Sequence, residues 1–312
     1  MIYSRTLFMC AVLLLAACGG EDRQAGSAYP LATESQNALV IASNYPLYYF
    51  ASRITAGVNA APDIVFPDID GDPALWIPSA EQVQILQSAD VVILNGAGAE
   101  RWPDLISIDH RRLFDTSVII ADRLIPLEGA VAHQHGPEGE HSHQGTAFTT
   151  WLDPQLALAQ AQAVTSELIK LAPDSEKPFR DNLVNLQQEL MALDSRLAQV
   201  FNSFDGQPVL FSHPVYQYLQ RRYGINGESV HWEPHEEPTT SNWIALRKIL
   251  ATHPAKIMTW EDQPLPSTAE RLSDAGIAIV PFRTAANRPD EGDYFSIMRD
   301  NVARLAMLSE AH

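Results

Sequence analysis

Short apolar runs alternate with helical patterns along the first half of the chain, after residue 37. Three runs rich in β-branched residues predict strands: 39–43, 63–66 and 90–94. Apolar residues at helical spacing predict three helices: 45–56, 79–87 and 152–171. Asp153 is placed to cap the last of these helices, with Pro154 at its first position. Uninterrupted apolar strands that alternate with helices are typical of an open, mostly parallel α/β sheet.

One long amphipathic helix is predicted at the centre of the chain. Its apolar residues recur at steps of three and four: Phe179, Leu183, Leu186, Leu190, Leu193, Leu197, Val200 and Phe204. They form a single stripe along a helix of about 29 residues, about 43 Å long at 1.5 Å per residue. A coiled coil would need a second chain to cover this stripe, whereas a molecule of two lobes covers it by itself. We therefore expect a monomer in which the helix joins two lobes.

A second α/β set follows the long helix. It is predicted to contain strands at 208–212, 229–232, 255–260 and 277–281, and helices at 214–223, 242–251, 267–275 and 294–308. The predicted fold class is therefore α/β, with two Rossmann-like lobes of mostly parallel sheets joined by a long rigid interlobe helix. The expected boundaries are a first lobe at 38–172, a linker helix at 173–205 and a second lobe at 206–312.

Residues 1–17 have the pattern of a secretory signal peptide. Arg5 precedes an apolar run at 7–18 that is too short to cross about 30 Å of hydrocarbon. The Leu-Ala-Ala-Cys sequence that ends at Cys18 resembles the cleavage box of bacterial lipoproteins, in which the cysteine is lipidated. An ordinary signal peptide with an incidental cysteine is the alternative. We expect a protein that is periplasmic or on the cell surface, anchored by lipid at Cys18 and carried on a flexible tether at 18–37.

Composition narrows the classes of partner and activity. The formal net charge of −17 disfavours nucleic acids and anionic lipid surfaces, so membrane contact is expected through the lipid anchor only. The two cysteines, Cys10 and Cys18, leave none for a disulfide after cleavage, and a chain of this length needs none. The sequence has no Gly-x-Ser-x-Gly elbow, phosphate-binding loop or His-Glu-x-x-His motif, and we expect no enzymatic activity.

Five motifs follow one another in a fixed order along the chain. They are A-S-N-Y-P-L from residue 42, S-A-D-V-V-I-L-N-G-A-G-A-E-R-W from residue 88, W-L-D-P from residue 151, S-H-P-V-Y-Q-Y from residue 212 and W-E-D-Q from residue 260. With the long helix between the third and the fourth, the chain resembles the zinc/manganese substrate-binding proteins of bacterial ABC importers, over about 38–308. The resemblance implies two lobes around a metal-binding cleft, an ABC permease and its ATPase as partners, and Zn²⁺ as the transported ligand.

The resemblance also implies four metal ligands in the cleft, usually three histidines and a carboxylate, and this chain departs from that set. The first position, in an Asp-Pro-His step of the family, holds Ala74, and the second holds Thr149. The third matches His213, and the fourth falls near Arg283. Arginine does not ligate metals and repels cations. The usual tetrahedral site is therefore predicted to be absent as such.

Two groups of side chains offer replacement ligands. The first is a histidine-rich acidic loop at 133–143, whose candidate ligands are His133, His135, His141 and His143. Imidazole suits zinc, and we favour metal capture at modest affinity over a solvated loop without a role. The second lies beyond the strands of the second lobe, where His235 and Glu261 are candidates to join His213 as ligands. The alternatives there are an exposed acidic loop at 233–237 and an acid at 261 that only orients a loop.

A changed ligand is a third possibility. The residues that would suit an anionic or chelated species are Arg283, Trp76, Trp151, Trp232 and Tyr45. Otherwise the aromatic residues belong to the core, as we favour for Trp151. From the whole pattern we predict a substrate-binding lipoprotein that captures a divalent transition metal, zinc foremost, and delivers it to a membrane permease. The competing hypothesis is a non-transport or metal-chelate-binding module that kept the fold and lost the usual ion site.

Overall fold

Four parallel strands form the sheet of the first lobe in the computed structural model, which describes residues 37–134 and 140–309. The strands are β1 (Leu39–Ala42), β2 (Asp63–Val65), β3 (Val91–Leu94) and β4 (Leu113–Asp115), in the order β2-β1-β3-β4. Val40 and Ile41 of β1 and Val92 and Ile93 of β3 are completely buried. Burial on both faces explains why these two strands read as uninterrupted apolar runs. β4 has only three residues, too few to show a period, and the sequence pattern does not predict it.

Three helices pack in the first lobe: α1 (Tyr45–Thr55), α2 (Ala80–Ser88) and α3 (Pro154–Leu171). Asn44 caps α1, because its Oδ1 accepts from the backbone N–H of Leu47 at 3.0 Å. Asp153 Oδ1 accepts from the backbone N–H of Gln155 at 2.9 Å, which confirms the predicted cap of α3. These caps satisfy donors that a helix start leaves without an intrahelical partner, and they fix where each helix begins.

Two antiparallel strands, β5 (Pro126–Gln134) and β6 (Glu140–Thr146), form a hairpin between β4 and α3. The expectation of a loop at 133–143 is corrected here, because both arms of this segment are paired, with His133 opposite His141. In a long unpaired loop the backbone donors and acceptors would bond only to water. Pairing of the two strands gives them hydrogen bonds within the protein. His135 lies outside the described residues.

A helix of 28 residues, α4 (Glu176–Ser203), follows α3 and confirms the predicted long helix. The buried members of its apolar stripe are Phe179, Leu186, Leu190, Leu193, Leu197 and Val200. Leu183 is partly buried against the same core. This stripe packs against α1 and α3 of the first lobe, and burial of an apolar face gives a long helix most of its stability.

The second lobe repeats the plan of the first. Its four parallel strands are β7 (Val209–Phe211), β8 (Gly227–Ser229), β9 (Ile257–Trp260) and β10 (Ala278–Pro281), in the order β10-β9-β7-β8. Its helices are α5 (Gln217–Tyr223), α6 (Thr240–Thr252), α7 (Pro266–Asp274) and α8 (Tyr294–Ser309). α5 and α8 also pack against α4, so the long helix contacts elements from both halves of the chain. The predicted two-lobed α/β fold with a connecting helix is confirmed.

β8 covers 227–229, whereas the pattern predicts a strand at 229–232. Hydrogen bonds nonetheless continue past its end, from Val230 N to Phe211 O at 2.9 Å and from Trp232 N to Ser212 O at 2.7 Å. The segment after β8 therefore stays beside the end of β7. This places Glu233 next to the residue that follows Ser212, at the carboxyl edge of the second sheet.

Within the described residues, no helix combines the length and the apolar character needed to cross a membrane. The predicted signal peptide at 1–17, the lipidation residue Cys18 and the tether up to residue 36 lie outside the described residues.

Candidate metal site

A cleft of about 910 Å³, part of it open to solvent, lies between the two lobes. Its first-lobe wall is formed by Asp72, Ala74, Leu75, Leu127, Ala147, Phe148 and Thr149. Its second-lobe wall is formed by His213, Pro214, Val215, Gln217, Glu233 and Glu261. Among the described lining residues, one carries an imidazole and three carry carboxylates. Such donors are those that transition metals prefer in proteins, together with thiolates.

His213 stands at the carboxyl end of β7. Ser212 N donates to Thr259 O at 2.8 Å, which continues the sheet to the residue before the histidine. Val215 N then donates to His213 O at 2.9 Å and turns the chain away from the sheet. The side chain of His213 is 12% exposed, and it lines the cleft from the second-lobe side.

Carboxylates lie at both ring nitrogens of His213. Glu261, the residue after β9, places Oε1 3.1 Å from Nδ1, and Glu233 places Oε1 3.5 Å from Nε2. Only the first distance lies within the range of an N–H···O hydrogen bond. The proton of a neutral imidazole is therefore held at Nδ1 by Glu261, and the lone pair of Nε2 is directed towards Glu233.

The protonation of His213 reflects this surrounding charge. Burial lowers the pKa of His213, whereas the hydrogen bond to Glu261 and the charges of Glu261, Glu233 and Asp72 raise it. The net result is a pKa above the ordinary value of histidine. A concentration of negative charge that favours the imidazolium also favours a bound cation at the same place.

Asp72 forms part of the opposite wall. Its Oδ1 accepts from Ala74 N–H at 2.9 Å and caps a short 3₁₀ turn, Pro73–Leu75. The loop before this turn is held by Asn287, whose Nδ2 donates to the carbonyl oxygens of Ile69 and Gly71, both at 2.7 Å. The turn that carries Asp72 is thus held by its own cap and by Asn287 of the second lobe.

Thr149 links the two walls directly, because its hydroxyl donates to the carbonyl oxygen of Val215. The neighbouring carbonyl of Phe148 accepts from Asn95 Nδ2 at 2.8 Å, which ties this wall to the end of β3. The position at which the resemblance implies a histidine ligand therefore carries a hydrogen bond between the lobes.

The structure brings His213 and Glu261 together and leaves His235 apart from them. His235 is exposed and is not among the cleft-lining residues. The chain turns towards solvent at this point. Glu236 N donates to Glu233 O at 3.3 Å, and Leu265 N donates to Pro234 O at 3.1 Å. His231 is also exposed, and its ring meets that of His213 edge-on with centroids 6.0 Å apart.

The histidines of the hairpin lie on its paired arms. His133 is in β5, and His141 and His143 are in β6, where His143 is in register with Val131. The base of the hairpin reaches the cleft, since Leu127 and Ala147 line it. Metal binding by these histidines stays a prediction.

Of the described residues that line the main cleft, none is one of the aromatic residues proposed to hold a chelate. Trp76 packs edge-on against Trp102, and Trp232 packs against Trp243 in the second-lobe core. Trp151 is buried and its Nε1 donates to Thr284 O at 2.8 Å. Arg283 does not line the cleft, and its backbone is held by Asn301.

Sequence reasoning missed Asp72 and Glu233 as candidate donors. Each follows the carboxyl end of a strand, β2 and β8, which is the general position of ligand-binding residues in α/β sheets. As the side chains stand, no group of three or more His, Cys, Asp or Glu residues in the described part of the chain converges on one metal position. His213 Nε2 and Glu233 Oε1 are 3.5 Å apart.

Residues 40–307 match the family model of the zinc-uptake complex component A, periplasmic, known as ZnuA. The chain belongs to this family. The predicted resemblance to zinc/manganese substrate-binding proteins of bacterial ABC importers is thereby confirmed, as is the class of a metal-binding lipoprotein family. ZnuA-family proteins bind metal for transport, and the expectation of no enzymatic activity agrees with that class.

Similar proteins include two zinc-related relatives and a solved structure. The zinc uptake protein ZnuA of Bacillus subtilis is 25% identical over 96% of this chain and 95% of its own length. The zinc-binding lipoprotein AdcA of Streptococcus pneumoniae is 23% identical over 97% of this chain, but the match spans only 60% of AdcA. The metal-dependent lipoprotein YcdH of B. subtilis shares the fold, with a TM-score of 0.70 at 20% identity over 88% of this chain and 99% of its own. Further relatives include a manganese-binding lipoprotein, MntA, and an iron ABC transporter substrate-binding lipoprotein, MtsA.

Proposed function

We propose that this protein is the substrate-binding lipoprotein of an ABC importer for a divalent transition metal. It captures the ion in the cleft between its lobes and delivers it to a membrane permease with its ATPase. The observation that carries the proposal is the position of His213, which lines the cleft of a ZnuA-family chain with a carboxylate at each ring nitrogen.

The chemistry of the cleft supports a cation as the ligand. The hydrogen bond to Glu261 leaves Nε2 as the metal-facing nitrogen, an arrangement that recurs for metal-ligating histidines. Asp72, Glu233 and Glu261 supply negative charge that a divalent ion neutralises. Zinc is the ion that we propose first, because imidazole suits it and the hairpin carries further histidines. Manganese is the alternative that a carboxylate-rich set accepts more readily.

Release to the permease is proposed to involve the cleft loops, with little swinging of the lobes. The lobes are already joined by direct hydrogen bonds, including Trp151 Nε1 to Thr284 O at 2.8 Å and Tyr218 Oη to Ala147 O at 2.7 Å. We also propose lipid attachment at Cys18, a monomeric state, and accessory metal capture by His133, His135, His141 and His143.

Metal analysis of the purified protein tests this function. We expect about one equivalent of zinc bound tightly, and loss of that equivalent in a His213→Ala variant. His110→Ala is the matched control, because His110 is an exposed histidine outside the cleft. Zinc that disappears only on deletion of 133–143 would assign capture to the hairpin instead. A protein that binds no divalent metal would favour the non-transport or chelate-binding module.

A further inference from the structure

We propose that Glu233 and Asp72 complete a rebuilt cation site around Nε2 of His213, while Glu261 is a positioning residue that does not touch the ion. The inference rests on the proposed function and names the ligands by which this chain would carry it out. It replaces the set of His213, His235 and Glu261 that the sequence predicts.

The spacing of His213 and Glu233 is that of two ligands on one ion. Their Nε2 and Oε1 atoms are 3.5 Å apart, which is long for a hydrogen bond. Two donors that each lie about 2.0–2.2 Å from a tetrahedral zinc ion are about 3.3–3.5 Å from one another. A metal ion therefore fits between these two atoms with little movement of either side chain.

Glu261 occupies the other side of the imidazole. Its Oε1 is 3.1 Å from Nδ1, and the two nitrogens of an imidazole point away from each other. A carboxylate bonded at Nδ1 cannot share an ion bound at Nε2. Its effect is to fix the ring orientation and the tautomer, and to raise the basicity of the ligating nitrogen.

Asp72 is the carboxylate that the first lobe contributes to the cleft. It lines the same cleft as His213, from the opposite wall. Its Oδ1 accepts from Ala74 N–H at 2.9 Å, and a carboxylate accepts at two oxygens with about four lone-pair sites. Capping is therefore compatible with a cation ligand at Asp72, once the donors move together around the ion.

These acids lie near the positions where the family has histidine ligands and this chain has none. Ala74 is two residues from Asp72 in the same turn, and Thr149 is engaged with Val215. One ligand then comes from the first lobe and two from the second. Water completes the coordination, and its access is provided by the open side of the cleft.

Calorimetric titration of the purified protein with Zn²⁺ against a competing chelator tests the ligand set. We expect Glu233→Gln and Asp72→Asn each to weaken zinc binding at least tenfold. Asparagine keeps the capping oxygen at position 72, so the Asp72→Asn variant removes charge without removing the cap. Glu228→Gln is the matched control, because Glu228 is an exposed acid on β8. Thermal unfolding of the metal-free variants checks that each is folded.

Absorption spectra with Co²⁺ in place of zinc separate ligands from the positioning residue. Glu261→Gln is expected to lower the affinity for the metal and to leave the cobalt ligand-field bands unchanged. Glu233→Gln is expected to shift those bands. The inference is overturned if Glu233→Gln and Asp72→Asn bind zinc within twofold of the native protein while His213→Ala binds none. It is also overturned if His231→Ala shifts the cobalt bands and Asp72→Asn leaves them unchanged. A native protein that binds neither zinc nor cobalt would instead refute the proposed function.

Discussion

At the scale of single residues, His213 connects the charge of the cleft to the stability of the protein. Burial would lower its pKa, but Glu261, Glu233 and Asp72 together raise it above the value of histidine in an unfolded chain. The folded state therefore binds a proton more strongly than the unfolded state does. Protonation of this ring stabilises the folded protein when no metal is bound.

We expect the metal-free protein to lose this contribution as the pH rises. The contribution is fully present below the unfolded pKa of about 6.5 and disappears as the pH passes through the higher folded value. Denaturant unfolding between about pH 5.5 and 8 in the presence of a chelator measures it. His213→Gln should flatten this part of the profile, and an unchanged slope in the variant would contradict the prediction. With zinc present the trend reverses, because protons compete with the ion for the imidazole.

Gly96 is a second residue whose surroundings allow a sharp prediction. Its φ is +73°, and a Cβ there would overlap the carboxylate of Asp115 and the hydroxyl of Ser117. Gly98 has a similar φ of +79°, but a Cβ there would meet nothing within 4 Å. Gly98→Ala should therefore cost about 1–2 kcal/mol from backbone strain alone, and Gly96→Ala should cost clearly more. Urea unfolding compares the two, and equal losses would show that the overlap is relieved.

At the scale of elements, α4 is held to both lobes by charged contacts as well as by its apolar stripe. Glu189 pairs with Arg53 of α1, and Asp194 accepts from Arg222 of α5 at 2.5 Å. Arg222 is partly exposed, so these pairs contribute less than burial of the stripe does. The contacts fix the rotation of α4 about its axis, and the stripe provides most of its stability.

Adjacent residues of α4 allow this division to be measured. Leu190 is fully buried, whereas Met191 is 56% exposed. We expect Leu190→Ala to lower the free energy of unfolding by about 2–5 kcal/mol, and Met191→Ala to change it by less than about 0.5 kcal/mol. Both variants keep helix propensity high, since alanine is the best helix former. Similar losses at the two positions would mean that the stripe is not the main source of stability.

The same elements show how far sequence patterns predict this fold. The long helix extends over enough turns for its period to be unmistakable, and β1 and β3 are buried on both faces, so their apolar runs are continuous. β4 is too short for any pattern. The strand predicted at 229–232 lies at 227–229 in the structure. Val230 and Trp232 are buried beyond the end of β8, so their alternation resembles that of a strand. β5 and β6 lack apolar alternation, and the sequence pattern therefore does not predict their pairing.

At the scale of the whole molecule, the site depends on distances that no local pattern encodes. His213 and Glu261 are predictable because each follows a strand, and the structure places them 3.1 Å apart. Glu233 and His235 are equally plausible in sequence, and only the turn between them decides that Glu233 faces the cleft. Asp72 belongs to the other lobe, so its place in the cleft wall opposite His213 follows from how the two sheets are held together. Long-range geometry therefore determines which of several suitable side chains can share an ion.

The way in which the lobes are joined leads to a prediction for the metal-bound molecule. Asn287 holds the loop before Asp72, and Trp151, Tyr218 and Thr149 connect the lobes through backbone carbonyls rather than through the candidate ligands. We expect zinc to slow amide hydrogen exchange in the segments 72–75, 213–216 and 230–233, and to leave α4 unchanged. Hydrogen-exchange mass spectrometry with and without zinc measures this, and His213→Ala should show no protection. Because lobe closure would compress every contact along α4, slower exchange throughout that helix would contradict a local response and indicate a hinge.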